Sequence, residues 1–355
     1  MRPPPVQLVF TRTDDPVDPR YGTAIGPRSF AVRLDGSGLH QLPSVPKTGF
    51  AQVDSATGEV VYAKQLSAVS GPQHTGCGFA GCSVYSYSEV QEGIAVSSLD
   101  GSGERLLTAG GYDSEPSFSP DGRSIAFRRH LKLADGTITD AVAIIDLQGD
   151  VVGGLLPPRG SEYDDPVWFP DGASLAVRVA GSGPQGNTYS VWILPADGGP
   201  GRKVADGSFQ GLAFSHDGRH VAAENLPLSG VPTGVPGGSD LWVLSVSGGP
   251  PRRLTHLAPP QALSLVYCGL SGGVSVDTAT PMWSPDDRQI IFLSDYRHLA
   301  EVDADDDIER IDADGSHLRT LWASPRHVCG QSPVRVRLTL VGWLPSPAAT
   351  RLGLA

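Results

Sequence analysis

PSFSPDGRSIAFR, at residues 116–128, recurs along the chain in close copies. The copies are PVWFPDGASLAVR (166–178), LAFSHDGRHVAAE (212–224) and PMWSPDDRQIIFL (281–293). Each copy has an apolar run, a turn centred on Asp, and a second apolar run, which is the pattern of a β-hairpin. The third residue before the turn Asp is aromatic in every copy: Phe118, Trp168, Phe214 and Trp283. We therefore predict a repeated hairpin with one register.

A second apolar hairpin follows each of these copies, for example VWILPADGGP at 191–200 and LWVLSVSGGP at 241–250. Two consecutive hairpins make four antiparallel strands, which is one blade of a β-propeller. A weaker unit, FAQVDSATGEVVYA with IAVSSLDGSGERLLT, adds a blade at residues 50–108. We name the strands of a blade a to d from the centre outwards.

The last blade is predicted to combine the two ends of the chain. The segment 6–42 supplies strands b, c and d, and LTLVGWLPSP (338–347) supplies strand a, with Trp343 at the aromatic position. Such closure removes an exposed sheet edge. The prediction is one all-β domain, a six-bladed β-propeller with four antiparallel strands per blade. Its blades are 6–42 with 336–345, 49–108, 115–156, 165–204, 210–255 and 280–322.

The repeat resembles that of the TolB family of WD40-like propellers. The resemblance is carried by the Trp-Ser-Pro-Asp core at 283–286 and by the Asp-Ala-Asp-Gly-Ser turn at 312–316. It implies a propeller, and it leaves the function open, because such propellers serve binding proteins, peptidase accessory domains and lyases. The chain begins almost directly with a strand, so we expect it to lack the α/β domain that precedes the TolB propeller.

Composition limits the partners. The net charge is −11 and there is no basic stripe, so nucleic acid is not expected as a partner. The sequence contains no run of 18 apolar residues, so no membrane-spanning helix is predicted. We expect a monomer. The first residues are not a signal peptide, so we expect the protein to be periplasmic or extracellular if a signal has been removed, and cytoplasmic otherwise.

The four cysteines are predicted to form two disulfides, because their number is even and the protein is rich in loops. Cys77 and Cys82 lie in one short glycine-rich segment. Cys268 and Cys329 lie in the connections before and after the last blade. Four free thiols and a zinc site are the alternatives.

Loop length differs between the two rims of the propeller. The turns a–b and c–d are short, so we call their side the tight-turn rim. The b–c and d–a connections form the loop-rich rim, and its long loops are 13–28, 65–92, 225–239, 295–306, 256–278 and 324–333. Long loops on a rigid scaffold usually carry binding sites, so we predict that a ligand binds at the loop-rich rim over the central channel.

Candidate ligand-binding residues lie on this rim. Strand a lines the channel and starts there, which places Glu115, Asp165, Gln210 and Thr280 at the channel mouth. Four histidines in or beside the loops can bind metal or transfer protons; they are His130, His256, His298 and His327. Solvent-exposed loop histidines, and carboxylates that merely cap the incoming loops, are the alternatives.

The acidic run EVDADDD at 301–307 is a candidate site for Ca²⁺ or another divalent metal, with Asp303, Asp305 and Asp307 as alternating oxygen ligands. The run lacks the glycine and the final glutamate of an EF-hand. A solvated acidic loop is the alternative.

The sequence thus predicts a scaffold that binds a protein, a small molecule or a carbohydrate. The competing hypothesis is a lyase or hydrolase acting on carbohydrate or a related polymer through rim histidines and carboxylates. Binding is favoured because no nucleophile and base occur at a meaningful spacing.

Overall fold

The structure is a computed structural model, and it describes residues 6–16, 25–42, 51–78, 81–109, 111–183, 186–225, 240–256, 264–267, 270–273, 278–294, 307–324 and 334–345. These residues contain strands and turns and no helix. Six sheets of four antiparallel strands form a ring, which confirms the predicted six-bladed β-propeller.

The strands follow the chain from blade to blade. Blade 1 contains β1 (Val6–Pro16), β2 (Ile25–Arg33) and β3 (His40–Leu42), with β26 (Val334–Pro345) as its strand a. Blade 2 contains β4 (Ala51–Val53), β5 (Glu59–Gly78), β6 (Gly81–Ser98) and β7 (Arg105–Leu106). Blade 3 contains β8 (Asp113–Phe118), β9 (Ser124–Lys132), β10 (Ile138–Asp146) and β11 (Val151–Leu155).

The remaining blades repeat this order. Blade 4 contains β12 (Ser161–Trp168), β13 (Ser174–Gly183), β14 (Gly186–Pro195) and β15 (Arg202–Asp206). Blade 5 contains β16 (Phe209–Phe214), β17 (His220–Asn225), β18 (Asp240–Ser245) and β19 (Arg252–Arg253). A separate two-stranded hairpin, β20 (Ser264–Tyr267) and β21 (Leu270–Gly273), precedes blade 6. Blade 6 contains β22 (Thr278–Trp283), β23 (Gln289–Ser294), β24 (Asp307–Asp312) and β25 (Arg319–Trp322).

Ring closure occurs as predicted, through the C-terminal strand. β26 pairs with β1 along its whole length, from Val6 opposite Pro345 to Pro16 opposite Val334. The Trp343 side chain is buried, and its Nε1 donates a hydrogen bond of 2.8 Å to the backbone oxygen of Trp283 in blade 6. The two ends of the chain therefore share one sheet.

The hydrophobic core is divided among the interfaces between neighbouring blades. Alternating residues of each strand face opposite sides of their sheet, so every blade supplies apolar side chains to both of its neighbours. Six separate clusters of buried apolar residues fill the six interfaces. The cluster between blades 1 and 6 includes Leu8, Phe10, Ile291 and Trp343. The repeated aromatic thus belongs to the packing between blades.

Two predicted loops are wrong. Residues 65–92 are not a loop in the structure, because β5 and β6 pair as one long hairpin from Glu59 opposite Ser98 to Gly78 opposite Gly81. Loop 13–28 is also shorter than predicted, since β1 continues to Pro16 and β2 begins at Ile25. Glycine and proline interrupt the alternation of apolar and polar residues in both segments, so the period-2 signal of a strand was weak.

Candidate functional site

Strand a carries a bulge in blades 3 to 6, and in blade 6 the bulge lies between Ala279 and Met282 and includes Thr280. The pairing of strands a and b shifts between Ser114 and Ser117 in blade 3, and between Asp164 and Val167 in blade 4. The displaced residues Glu115 and Asp165 have φ of 55° and 53°, in the left-handed region that side chains other than glycine rarely adopt. Such strained backbone conformations are enriched at functional sites.

Each bulge carboxylate contacts the next blade. Glu115 Oε2 accepts a hydrogen bond of 2.7 Å from the Asp165 backbone N–H. Asp165 Oδ2 accepts one of 2.8 Å from the Leu212 backbone N–H. The two carboxylates therefore join the innermost strands of blades 3, 4 and 5 around the channel.

Burial disfavours the ionised form of these carboxyls. Burial, followed by the neighbouring charge of Glu115, raises the pKa of Asp165 to about 6. Burial also raises the pKa of Glu115, against the opposing effect of the Arg128 guanidinium. Burial raises the pKa of Glu92 in blade 2 as well, and Glu115 adds to that shift while Arg128 opposes it. The charges of Glu115 and Arg128 thus affect the pKa of a carboxyl in the neighbouring blade as well.

Two arginines and Asp164 connect blades 3 and 4 beside the bulges. Asp164 is buried, and its Oδ2 lies 2.8 Å from Arg178 Nη2 while its Oδ1 lies 3.2 Å from Arg128 Nη1. Arg128 Nε also donates to Ser114 Oγ at 3.0 Å. Because Asp164 bridges both guanidinium groups, the arginine side chains are held in place.

The contacts of Arg128 extend outwards to a histidine. Arg128 Nη1 lies 3.8 Å from Asp140 Oδ2, and Asp140 Oδ1 lies 2.7 Å from His130 Nδ1. The His130 ring also meets the Tyr112 ring edge-on, with centroids 5.7 Å apart. We call Glu115, Arg128, Asp140, Asp164, Asp165 and Arg178 the blade 3–4 charged network.

The blade 3–4 charged network has more carboxylates than guanidinium groups, and part of it reaches solvent. The side chains of Arg128 and Glu115 are 32% and 23% exposed. Asp140 is 18% exposed. At a pH where all its carboxyls are ionised, four carboxylates face two guanidinium groups, so the network can bind a cationic group.

Gln210 does not occupy the position that Glu115 and Asp165 share. Gln210 pairs with Glu224, as Asp164 pairs with Arg178, so it lies one residue before the bulge. The bulge residue of blade 5 is Gly211, with φ of 62°. The Gln210 Nε2 donates a hydrogen bond to the Glu224 carboxylate within the same blade.

The other candidate residues are only partly described. Thr280 lies in β22, and its side chain is outside the described residues. His256 is exposed at the end of a described segment, whereas His298 and His327 lie outside the described residues. The structure thus links His130 to Glu115 through Asp140 and Arg128, and no contact of His256 with this network is described. A ligand-binding role for these residues stays a prediction.

Of the three aspartates of the predicted metal site, the structure describes only Asp307. Asp307 opens β24, is buried, and accepts a hydrogen bond of 2.7 Å from the Ser324 backbone N–H. Asp303 and Asp305 lie outside the described residues. Among the residues that the structure describes, no group of three or more His, Cys, Asp or Glu side chains could hold a metal ion. The Asp307 contact is typical of a strand cap, and calcium binding stays a prediction.

The cysteines are described only through the backbone of one pair. Cys77 and Cys82 lie directly opposite each other in the β5–β6 ladder, whereas Cys268 and Cys329 lie outside the described residues. Opposite positions in an antiparallel pair have a Cα separation of about 4.5–5.5 Å, which is within the range of a disulfide. Both disulfides stay predictions.

Sequence reasoning missed Glu92, Arg128, Asp164 and Arg178. A signal for the arginines was present, because Arg128 and Arg178 are the last residues of the first two repeat copies, where the others have Glu224 and Leu293. This position is charged in three of the four copies, and a charged side chain that is partly buried requires a partner. Glu92 gave no such signal, since its proximity depends on the long β5–β6 hairpin.

The fold and the site define a closed six-bladed β-propeller with a charged network at the loop-rich rim, and its repeats are of the TolB type. No protein-family model matches the sequence. A segment of 77 residues is 38% identical to the Tol-Pal system protein TolB of Rhizorhabdus wittichii, and a segment of equal length is 39% identical to that of Zymomonas mobilis. Each match covers 22% of this chain and 16% of the relative's length.

Solved structures show the same architecture over most of the chain. TolB from Acinetobacter baumannii superposes with a TM-score of 0.55 at 14% identity, covering 94% of this chain and 67% of that chain. Hydrazine synthase from Kuenenia stuttgartiensis superposes with a TM-score of 0.57 at 14% identity, covering 95% of this chain and 47% of that chain. At these identities the likeness concerns the fold.

The sequence predicted no membrane-spanning helix. Among the residues described above, no helix is long and apolar enough to cross a membrane.

Proposed function

We propose that the protein is a binding protein that holds a cationic group of a partner at the loop-rich rim, over the channel mouth. The observation that supports this proposal is the blade 3–4 charged network, where carboxylates outnumber guanidinium groups. Arg128 and Arg178 hold Asp164 in place, while Glu115 and Asp140 keep exposed surface. The ligand is a lysine or arginine side chain of a protein, or a small molecule with an equivalent cation.

The partner class follows from charge and from the fold. The chain carries a net charge of −11, which favours association with cationic partners over nucleic acid. The two similar proteins are named Tol-Pal system protein TolB, and this name supports a protein as the partner. We also propose a periplasmic or extracellular location. The two predicted disulfides would form in an oxidising compartment.

Titration calorimetry with an arginine- and lysine-rich decapeptide tests the site, with a glutamate-rich decapeptide as the negative probe. Glu115→Gln removes a charge and keeps an oxygen that can accept from the Asp165 N–H, and Asp140→Asn does the same beside His130. Each variant should weaken basic-peptide binding about tenfold, and binding should weaken with added salt. Asp206→Asn is the control, because Asp206 is exposed on the outer strand β15 and pairs with Lys203 there. Equal loss in all three variants, or no loss in the first two, would contradict the proposed site.

An enzymatic role is the second candidate, and the raised pKa of Asp165 favours it, since a carboxyl with a pKa of about 6 can act as an acid or a base near neutral pH. The reaction class would be hydrolysis or elimination on a carbohydrate polymer. Turnover of polygalacturonate or another uronic-acid polymer that is lost in Asp165→Asn, while basic-peptide binding is retained, would select this role over binding.

A further inference from the structure

The hairpin of blade 2 extends far beyond its own sheet. β4 pairs with β5 only from Val60 to Tyr62, and β7 pairs with β6 only at Ala95 and Val96. The β5–β6 ladder nevertheless continues from Ser67 opposite Gln91 to Gly78 opposite Gly81. We call residues 67–78 and 81–91 the blade 2 arm. At about 3.3 Å per residue, the arm is about 40 Å long.

Both edges of the blade 2 arm lack a neighbouring strand within the described part of the chain. An open edge presents a row of backbone N–H and C=O groups that can pair with another strand. A two-stranded hairpin without further cover is only marginally stable in water. The arm therefore has the geometry of an element completed by an added strand.

β6 offers the better edge of the two. β5 contains Pro72, and its register shifts between Ser70 and Gln73; a proline lacks the N–H donor, and a bulge disturbs an edge. The stretch of β6 from Gly81 to Val90 contains no proline and includes a valine and two tyrosines at 84, 85 and 87, which are residue types that favour strands. An added strand would therefore pair with β6.

Charge points to a second copy of this chain as the source of that strand. Two copies with a net charge of −11 each repel one another over most of their surfaces. Residues 66–88, LSAVSGPQHTGCGFAGCSVYSYS, contain no Asp, Glu, Lys or Arg. Strand pairing along this segment brings no like charges opposite each other, and it lacks the charged residues that usually protect an edge.

We propose that the protein self-associates through the blade 2 arm, with β6 pairing antiparallel to β6 of a second copy. The resulting sheet has four strands, in the order β5, β6, β6 and β5. The contact is two-fold symmetric and uses the same strand in both copies, so it closes at a dimer and does not continue into a fibre. This assembly replaces the monomer expected from the sequence.

Sedimentation velocity over a range of concentrations, in reducing buffer, tests the dimer. The reducing agent excludes disulfides between copies as the cause of association. The full chain should sediment with twice the 37.2 kDa mass of the single chain. A shortened arm, in which Asn-Gly replaces residues 69–89 and joins Ala68 to Val90, keeps a paired base and should sediment as a monomer that still unfolds cooperatively on heating.

A pair of lysine substitutions tests the strand without shortening the arm. Val84→Lys with Ser86→Lys places four positive charges along the proposed β6–β6 contact and should raise the dimer dissociation constant at least tenfold. The matched control is Thr75→Lys with Gln73→Lys, which adds the same charge at the register partners on β5 and should have a smaller effect. A monomeric full chain at all concentrations overturns the proposal. A dimer that survives arm shortening, or one equally sensitive to both lysine pairs, also overturns it.

Discussion

Trp343 Nε1 in blade 1 donates a hydrogen bond of 2.8 Å to the backbone oxygen of Trp283 in blade 6, and Trp283 Nε1 donates one of 3.0 Å to the oxygen of Ala213 in blade 5. In blades 1 and 6 the repeated aromatic therefore links neighbouring blades through a polar contact as well as through packing. Because the Trp343–Trp283 bond is buried, removing its donor leaves a buried carbonyl without that hydrogen bond. The Trp343 bond joins the closing strand β26 to blade 6.

Replacing Trp343 tests the closure of the ring. Trp343→Phe keeps most of the buried ring and leaves the Trp283 oxygen without that donor, so it should lower the free energy of unfolding by about 1–3 kcal/mol. Trp343→Ala also opens a cavity and should cost about 3–5 kcal/mol. Urea unfolding measures both. Trp192→Phe is the control, because Trp192 donates to Ser190 within its own strand; an equal loss there would argue against a special role for the blade 1–6 contact.

The raised pKa of Asp165 predicts that the stability of the fold depends on pH. Its folded pKa of about 6 is higher than the ordinary value of 3.8, so the folded state binds the proton more tightly than the unfolded chain. The stabilisation by this proton is fully present below the ordinary pKa and is lost as pH rises through about 6. The wild-type melting temperature should therefore fall between pH 5 and pH 7.5 by more than that of Asp165→Asn.

Asp165→Asn retains an oxygen for the Leu212 N–H, and asparagine tolerates the left-handed backbone. At pH 7.5 this variant should melt at a higher temperature than the wild type. Glu162→Gln on the same strand, where the side chain is exposed, should leave the pH profile unchanged. A variant that melts lower than wild type at pH 7.5 would show that the ionised carboxylate is worth more than its burial costs.

The blade count, the strand order and the closing strand were predictable from the sequence because they depend on local patterns. A turn Asp with an aromatic three residues before it identifies one hairpin, and Trp343 extends the same rule to the C-terminus. Once the blades are placed, the side to which each connection belongs follows from topology alone. The candidate residues Glu115 and Asp165 came from that step.

The contacts of the site depend on details that a single sequence does not show. The bulge turns Glu115 and Asp165 towards the next blade, and the left-handed φ of both residues has no signal in their residue type. The same one-residue shift separates Gln210 from the bulge position of blade 5. Glu92 lies within strand β6 and not in the loop that was predicted there, and its charge interacts with Arg128 from that strand.

Asp287 tests a trade between backbone strain and hydrogen bonding on the tight-turn rim. It has φ of 56° at the turn position where blades 3 to 5 have glycines with φ of 68°. Its carboxylate accepts hydrogen bonds from the backbone N–H groups of His216 and Asp217, at 2.8 and 2.9 Å. Asp287 Oδ1 also lies 2.8 Å from His216 Nδ1. Asp287→Gly relieves about 1 kcal/mol of strain and removes three contacts of about 1 kcal/mol each, so it should destabilise the fold by about 2 kcal/mol in urea unfolding. Asp287→Asn can keep one of the bonds, so its free energy of unfolding should lie between those of the wild type and Asp287→Gly. An Asp287→Gly variant more stable than the wild type would show that backbone strain outweighs the lost bonds.

The Cys77–Cys82 disulfide is the prediction that connects the fold to the compartment. The two residues are opposite each other in the ladder, so the bond would close the end of the blade 2 arm without displacing its backbone. Protein purified without reductant should lose about two hydrogens at this pair relative to the reduced chain, and a peptide spanning 77–82 should resist alkylation until it is reduced. Cys77→Ser in that preparation should expose one alkylatable thiol at Cys82, which serves as the control for access to the reagent. Full alkylation of both cysteines in the native wild type would contradict the disulfide and would favour a reducing compartment, because a bond at this geometry would form readily outside it.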